Sequence, residues 1–203
     1  MSNIFTEELY EKEDFSSLQN DGDDIIKIKF VDCNFNGGDF ADNKIEKCTF
    51  ENCNIKNCRF NGSLFKNTAF LNCKFDLSSF FGTTIESCKM TGSTFHDADI
   101  TCLAIIRGDW SFTILSDLEF YKNTFNSTIF AEADLRNTKF HKCIMTECDL
   151  SNALTTGTSF RDSDIRSCNI SGTDILGADF KNTKIDLEQA CTIAECLGAK
   201  YTP

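Results

Sequence analysis

The chain has 203 residues, 41% of them hydrophobic, and a formal net charge of −11. That is enough apolar material for a sizeable core, and the acidity argues against a direct nucleic-acid binder, which needs a basic face. Its 12 cysteines include no Cys-x-x-Cys pair of the zinc-site type, and the start Met-Ser-Asn-Ile-Phe-Thr-Glu-Glu lacks the pattern of a secretory signal, so reduced thiols in a cytoplasm, no metal, no cofactor and no membrane contact are expected.

Residues 1–24 hold eight acidic residues against Lys12, a net −7 that leaves only −4 for the rest of the chain. This segment reads as an acidic lead-in, with Tyr10 and Phe15 covering the first turn of the adjoining repeat region and Asn20 breaking its phase.

From Ile25 to Ile185 the pattern has a period of five. Of the 33 residues whose numbers are multiples of five, 32 are apolar and only Thr155 is not. Eighteen of the 20 phenylalanines fall on this phase once Phe5 and Phe15 are included; Phe81 and Phe112 do not. A period of five fits neither the 3.6 of a helix nor the 2.0 of a strand. An unslipped short repeat predicts a solenoid in which each unit buries its apolar side by stacking on the next. Nine cysteines (33, 48, 53, 58, 73, 88, 143, 148 and 168) stand two residues before a centre, where mostly Ser, Thr, Ala or Gly otherwise occur. Cysteine is therefore read as a small side chain, not a metal ligand. Two residues after a centre come seven Gly and seven Asn, residues that tolerate the positive φ of a tight corner.

The segment 101–120 keeps the phase but strains its chemistry. Leu103 and Leu118 are large for the small position, Trp110 is the sole tryptophan, and Ile106, Phe112 and Ile114 occupy outward positions. Either this coil is locally distorted and tucks these groups in, or Phe81, Ile106, Phe112, Ile114 and Tyr121 form a partner-binding patch. After Ile185 the pattern turns helical. Asp186 with Gln189 makes a capping box, Ala190, Ile193, Ala194 and Leu197 share a face, and Gly198 ends the helix. Residues 186–203 are thus a capping and dimerisation helix and tail. Leu187, Ala190, Ile193, Ala194 and Leu197 exceed what one coil edge needs, so a homodimer through this end is expected.

With ADL at 133–135, CDL at 148–150, ADF at 178–180 and CNF at 33–35, the chain resembles the pentapeptide repeat family. The resemblance implies an all-β fold, a right-handed quadrilateral (four-sided) β-helix with four pentapeptides to each 20-residue coil. Residues 25–185 would form about eight coils and a rod roughly 40 Å long at the usual strand spacing. It also stacks Cys33, Cys53 and Cys73 within disulfide range, although reduced thiols remain the expectation.

Function is read by exclusion first. The chain has no glycine-rich phosphate loop, no His-Glu-x-x-His and no nucleophile elbow, and neither His96 nor His141 takes an inward position, so no catalytic residue is assigned. LEQA at 187–190 followed by LG at 197–198 resembles the tail of the Qnr-type quinolone-resistance and microcin-immunity members. That resemblance implies a DNA-mimicking dimer that binds DNA gyrase or topoisomerase IV, with Leu187, Gln189, Ala190, Leu197 and Gly198 in the dimer region and without the two loops that many Qnr proteins insert. The alternative is an interaction scaffold with an unrelated partner.

Overall fold

The computed structural model describes residues 5–20, 22–200 and 202. The five-residue period becomes a short extended stretch, with its centre inward and its two flanks outward, then a corner. In Lys44–Glu46 and Leu64–Lys66, for example, Ile45 and Phe65 are buried while their neighbours are half-exposed. These stretches pair in parallel with the one 20 residues on. Phe30 stands against Phe50, Phe50 against Phe70, Ile85 against Ile105 and Phe120 against Phe140. Four such walls close a narrow square tube with its core along the axis. At nearly every position two after a centre the backbone turns through positive φ, including at non-glycine residues such as Leu77 (62°) and Phe112 (59°).

The rings pack in two ways inside the tube. Along the axis they stack: Phe30, Phe50 and Phe70 lie 4.7 Å apart, and Phe120, Phe140, Phe160 and Phe180 lie 5.2, 5.4 and 5.6 Å apart. Around a coil they meet edge to face, as Phe30 and Phe35 do at 83°. Both arrangements are favoured by the ring quadrupole.

The small position is more than small. In most coils a Ser, Thr or Cys there donates a hydrogen bond to the carbonyl of the centre 23 residues earlier: Ser63 Oγ to Phe40 at 2.6 Å, Thr83 Oγ1 to Phe60 at 2.6 Å and Cys58 Sγ to Phe35 at 3.0 Å. This explains why Ser, Thr and Cys share it, since each offers a donor that a buried carbonyl needs. All 12 thiols are free, and the nine of the small positions are buried. Burial pushes the Cys58 and Cys88 thiols up to about 12 and Cys143 up to about 11, so little nucleophilic thiolate forms at these three, and burial shields all nine from reagents. A thiol reagent applied to the native protein should therefore label the exposed Cys102 and Cys196 quickly, Cys191 more slowly, and these nine only on unfolding.

At the N-terminal end the structure departs from the expected picture. The coil register extends into the segment read as lead-in: Leu9–Glu11 pairs with Lys29–Val31, and Asp14 and Gln19 bridge to Asn34 and Asp39. Phe5 covers the tube end, 5.1 Å from Phe30 and within 5.7 Å of Tyr10 and Phe15. Asn20 does occupy a centre, and its polarity is met there. Its Nδ2 donates to Asn43 Oδ1 and to the Asp23 carbonyl, and Asn43 Nδ2 returns a bond to the Asn20 carbonyl. Residues 1–4 and 21 of the lead-in lie outside the described residues. The polar centre Thr155 is likewise buried, with its hydroxyl donating to the Asp174 carbonyl.

The C-terminal helix, Leu187–Cys196, starts at an Asp186 N-cap with both capping-box bonds formed to Gln189. Among the described residues no helix is long and apolar enough to cross a membrane.

Candidate interaction surfaces

The five residues expected to form one patch do not come together. Phe81 and Tyr121 lie on the wall whose centres are Phe80, Ile100 and Phe120, each about half exposed at 51% and 52%. Ile106 is on the next wall, in the strand Ala104–Asp109, and shares a cleft with Tyr121 around the intervening corner. Phe112 and Ile114 are on the far side of the square, Phe112 exposed at a corner and Ile114 half-buried between Thr94 and Asp134. Within segment 101–120, Leu103, Trp110 and Leu118 are tucked in, whereas Ile106 and Phe112 face outward.

The same segment opens the wall. Across the preceding coil boundary the backbone is bonded throughout, with Leu77 N–H to His96, Asp99 to Ser78, Phe80 to Asp99, Gly82 to Thr101 and Ala104 to Thr83, all between 2.7 and 3.1 Å. Across the following boundary Asp117, Lys139, Lys122, Ile144 and Ser127 bond in the same manner. Between residues 97–107 and 116–126, among the described residues, no backbone hydrogen bond and no strand pairing is made. A single side-chain bond spans it, from Asn123 Nδ2 to the Leu103 carbonyl at 2.6 Å. The opening shows as two clefts on adjacent walls. One, of about 370 Å³, lies among Asp97, Ile100, Asp117, Leu118 and Glu119; the other, of about 320 Å³, lies among Leu103, Ile106, Tyr121 and Asn123.

At the C-terminal end, Gln189 is committed within its own chain instead of facing a partner. It is 2% exposed, and its Nε2 donates to the carbonyls of Ile165 at 2.6 Å and Cys168 at 2.8 Å, pinning the helix to the final coils. Ala190, Ile193 and Ala194 are half-buried, with Ile193 packed on the core. Leu187 and Leu197 are exposed at 76% and 72%. Ala178, Phe180 and Ile185, beside the helix, are only partly covered.

Charges interleave along the walls. Lys66 pairs with Glu86, Lys56 with Asp76, Lys139 with Glu119, and Arg59 and Arg161 with Asp39 and Asp179. The Arg59 guanidinium holds the Asp39 carboxyl below its ordinary value, and the Lys142 ammonium, 3.3 Å from the Tyr121 hydroxyl, lowers that phenol's pKa. Unpaired acidity gathers on the first coil, where Glu7, Glu8, Glu11 and Glu13 are all exposed. The charged end of the rod is thus the one opposite the helix.

The family model of pentapeptide repeats matches residues 143–182 in 8 copies. No curated protein matches the chain. A trypsin-treated variant of QnrB1, a plasmid-mediated fluoroquinolone resistance protein, is similar with a TM-score of 0.69 at 21% identity, over 96% of this chain and 99% of that one. Full-length QnrB1 gives 0.58 at 20% identity over 94% and 100%. HetL, a pentapeptide repeat protein involved in heterocyst differentiation regulation from the cyanobacterium Nostoc sp. strain PCC 7120, gives 0.52 at 12% identity over 79% and 86%. At these identities the likeness establishes a shared fold.

Proposed function

Taking a chain of pentapeptide repeats as the premise, we propose that this protein is a non-enzymatic, cytoplasmic binder of a type II topoisomerase, DNA gyrase or topoisomerase IV. It would occupy the DNA-binding surface as an acidic rod and modulate the enzyme or protect it from a quinolone or peptide poison. The observation that carries the reading is the end-to-end likeness to QnrB1, a fluoroquinolone resistance protein. The tail resemblance of LEQA at 187–190 and LG at 197–198 to the Qnr-type members supplies the enzyme class.

The working form is a homodimer joined at the helix ends, where Leu187 and Leu197 stand exposed beside the half-covered Phe180 and Ile185. A two-fold axis there buries both tube ends at once and leaves the acidic first coils as the two tips. Attraction to a basic surface then acts from the tips and weakens as salt rises.

A supercoiling assay with gyrase from the source organism tests this at low salt, with and without a quinolone. The protein should inhibit supercoiling or restore it against the drug, with duplex DNA competing. Changing Glu7, Glu8, Glu11 and Glu13 to Gln should weaken the effect, and Leu187→Glu with Leu197→Glu should yield monomers by light scattering and lose it. If neither gyrase nor topoisomerase IV binds at low salt, the reading is lost.

A second reading, a scaffold with an unrelated partner, is favoured by the interleaved wall charges and the exposed Phe81 and Tyr121. Its signature would be a partner released by Phe81→Ser and Tyr121→Ser with no effect on supercoiling.

A further inference from the structure

We propose that the unbonded boundary between residues 97–107 and 116–126 is a hinge at which the rod bends. Bonding on all four walls makes a coil boundary rigid. Here two adjacent walls, with centres Ile100 and Ile105, carry no backbone bonds, while the other two keep theirs. Thr94 bridges Ile114, Phe95 N–H bonds to Ile114 at 3.1 Å, Gly108 stands against Thr128, and Trp110 N–H bonds to Ile129 at 2.7 Å. The bonded pair of walls is the spine, and the open pair is the side that gapes and narrows.

The cause is packing at the small positions. Stacked 20 residues apart, one column reads Thr83, Leu103, Asn123, Cys143 and another reads Ser78, Ala98, Leu118, Thr138. Each column meets the open boundary with one leucine where its other members are smaller. Leu103 and Leu118 are buried against a tube already filled by its centres, so they hold the coils apart as wedges instead of collapsing inward. They also offer no side-chain donor to the carbonyls of Phe80 and Phe95, which keep only the bonds from the Thr83 and Ala98 N–H groups.

A further mark of displacement is Thr128. Its hydroxyl should reach the carbonyl of Ile105 by the same rule, yet it is fully buried without a partner. The Asn123 amide acts as a strap that limits the opening.

Backbone groups without partners exchange their amide hydrogens through small local openings, whereas those in a bonded ladder require larger ones. Hydrogen exchange on the full chain therefore reads the hinge directly. The amides of Asp97, Ile100, Cys102, Ile105 and Arg107 should exchange at least ~10-fold faster than those of Leu77, Phe80, Gly82 and Ser87 one coil earlier. Asn123→Ala should speed them further. Leu103→Thr with Leu118→Ser should slow them toward the neighbouring coils by restoring a donor at each position.

Spin labels on opposite sides of the gap, at Asn61→Cys and Arg161→Cys with Cys102 and Cys196 changed to Ser, should give a broad distance distribution in the wild-type background. It should narrow in the Leu103→Thr, Leu118→Ser background. Wild-type exchange as slow as in the flanking coils, or a distance distribution as narrow as that of a pair within one half of the rod, would overturn the hinge. Fast exchange that persists in a folded double variant would overturn the wedge as its cause.

Discussion

Phe70→Ala should destabilise the protein by about 3–5 kcal/mol, the range for deleting a buried aromatic ring whose surroundings cannot close over the space. Phe70 is fully buried, stacked 4.7 Å from Phe50 and 5.2 Å from both Phe65 and Phe75. Those neighbours are fixed by the backbone ladder that stacks every coil 20 residues from the next, so collapse would require breaking wall hydrogen bonds. The loss is also felt beyond its own coil, because a solenoid's stability is a sum of intrinsic and nearest-neighbour terms. Denaturant unfolding of Phe70→Ala beside Phe81→Ala gives the contrast, since the exposed Phe81 should contribute little. A loss below about 1.5 kcal/mol for Phe70→Ala would mean that the tube relaxes far more than its packing implies.

The centres, small positions and corners were legible because each imposes one kind of chemistry every five residues. A centre must be apolar to fill the axis, a corner must accept positive φ, and the position between must be small. What the period could not convey lies in contacts between coils. The first coil was hidden by its surface: Tyr10 and Phe15 keep the phase, but the surrounding acids and Asn20 resemble a solvated tail until Asn43 is seen to pair with Asn20. Gln189 looked like part of a dimer face because a capping residue gives no sign of where its amide points, and that amide reaches back to the carbonyls of Ile165 and Cys168.

The scattering of the apolar patch is already implicit in a 20-residue coil. Residues 106 and 121 fall on adjacent walls of a 20-residue coil, whereas 112 and 114 fall across the square from 106, so one patch could not have held all five. Leu103 and Leu118 were visible as oversized. That two such residues meet at a single boundary and part it on two walls depends on three-dimensional stacking, and only the structure supplies it.

The second large effect is expected at Gly108, where the open stretch of wall gives way to the spine. Gly108 occupies a small position at the end of Ala104–Asp109, which runs extended beside Thr84–Lys89. Its φ of 120° lies where side chains are rarely tolerated, and a Cβ there would fall 2.4 Å from the Cys88 carbonyl oxygen and 3.3 Å from the Cys88 nitrogen. Because the obstacle is backbone held in the ladder, no rotamer change relieves it. Gly108→Ala therefore combines a strained dihedral, on the order of 1–3 kcal/mol, with displacement of one strand from the other. The same residue stands against Thr128 on the spine side of the hinge, so pushing it outward should extend the gap into the wall that contains Trp110. The expected result is a lowered unfolding midpoint together with faster exchange at the Trp110 and Phe112 amides, whose bonds to Ile129 and Ala131 now close the boundary. A midpoint unchanged within about 2 °C, which in a chain of this size corresponds to less than roughly 1 kcal/mol, would show that the strand moves aside freely and that the spine is not fixed at this point.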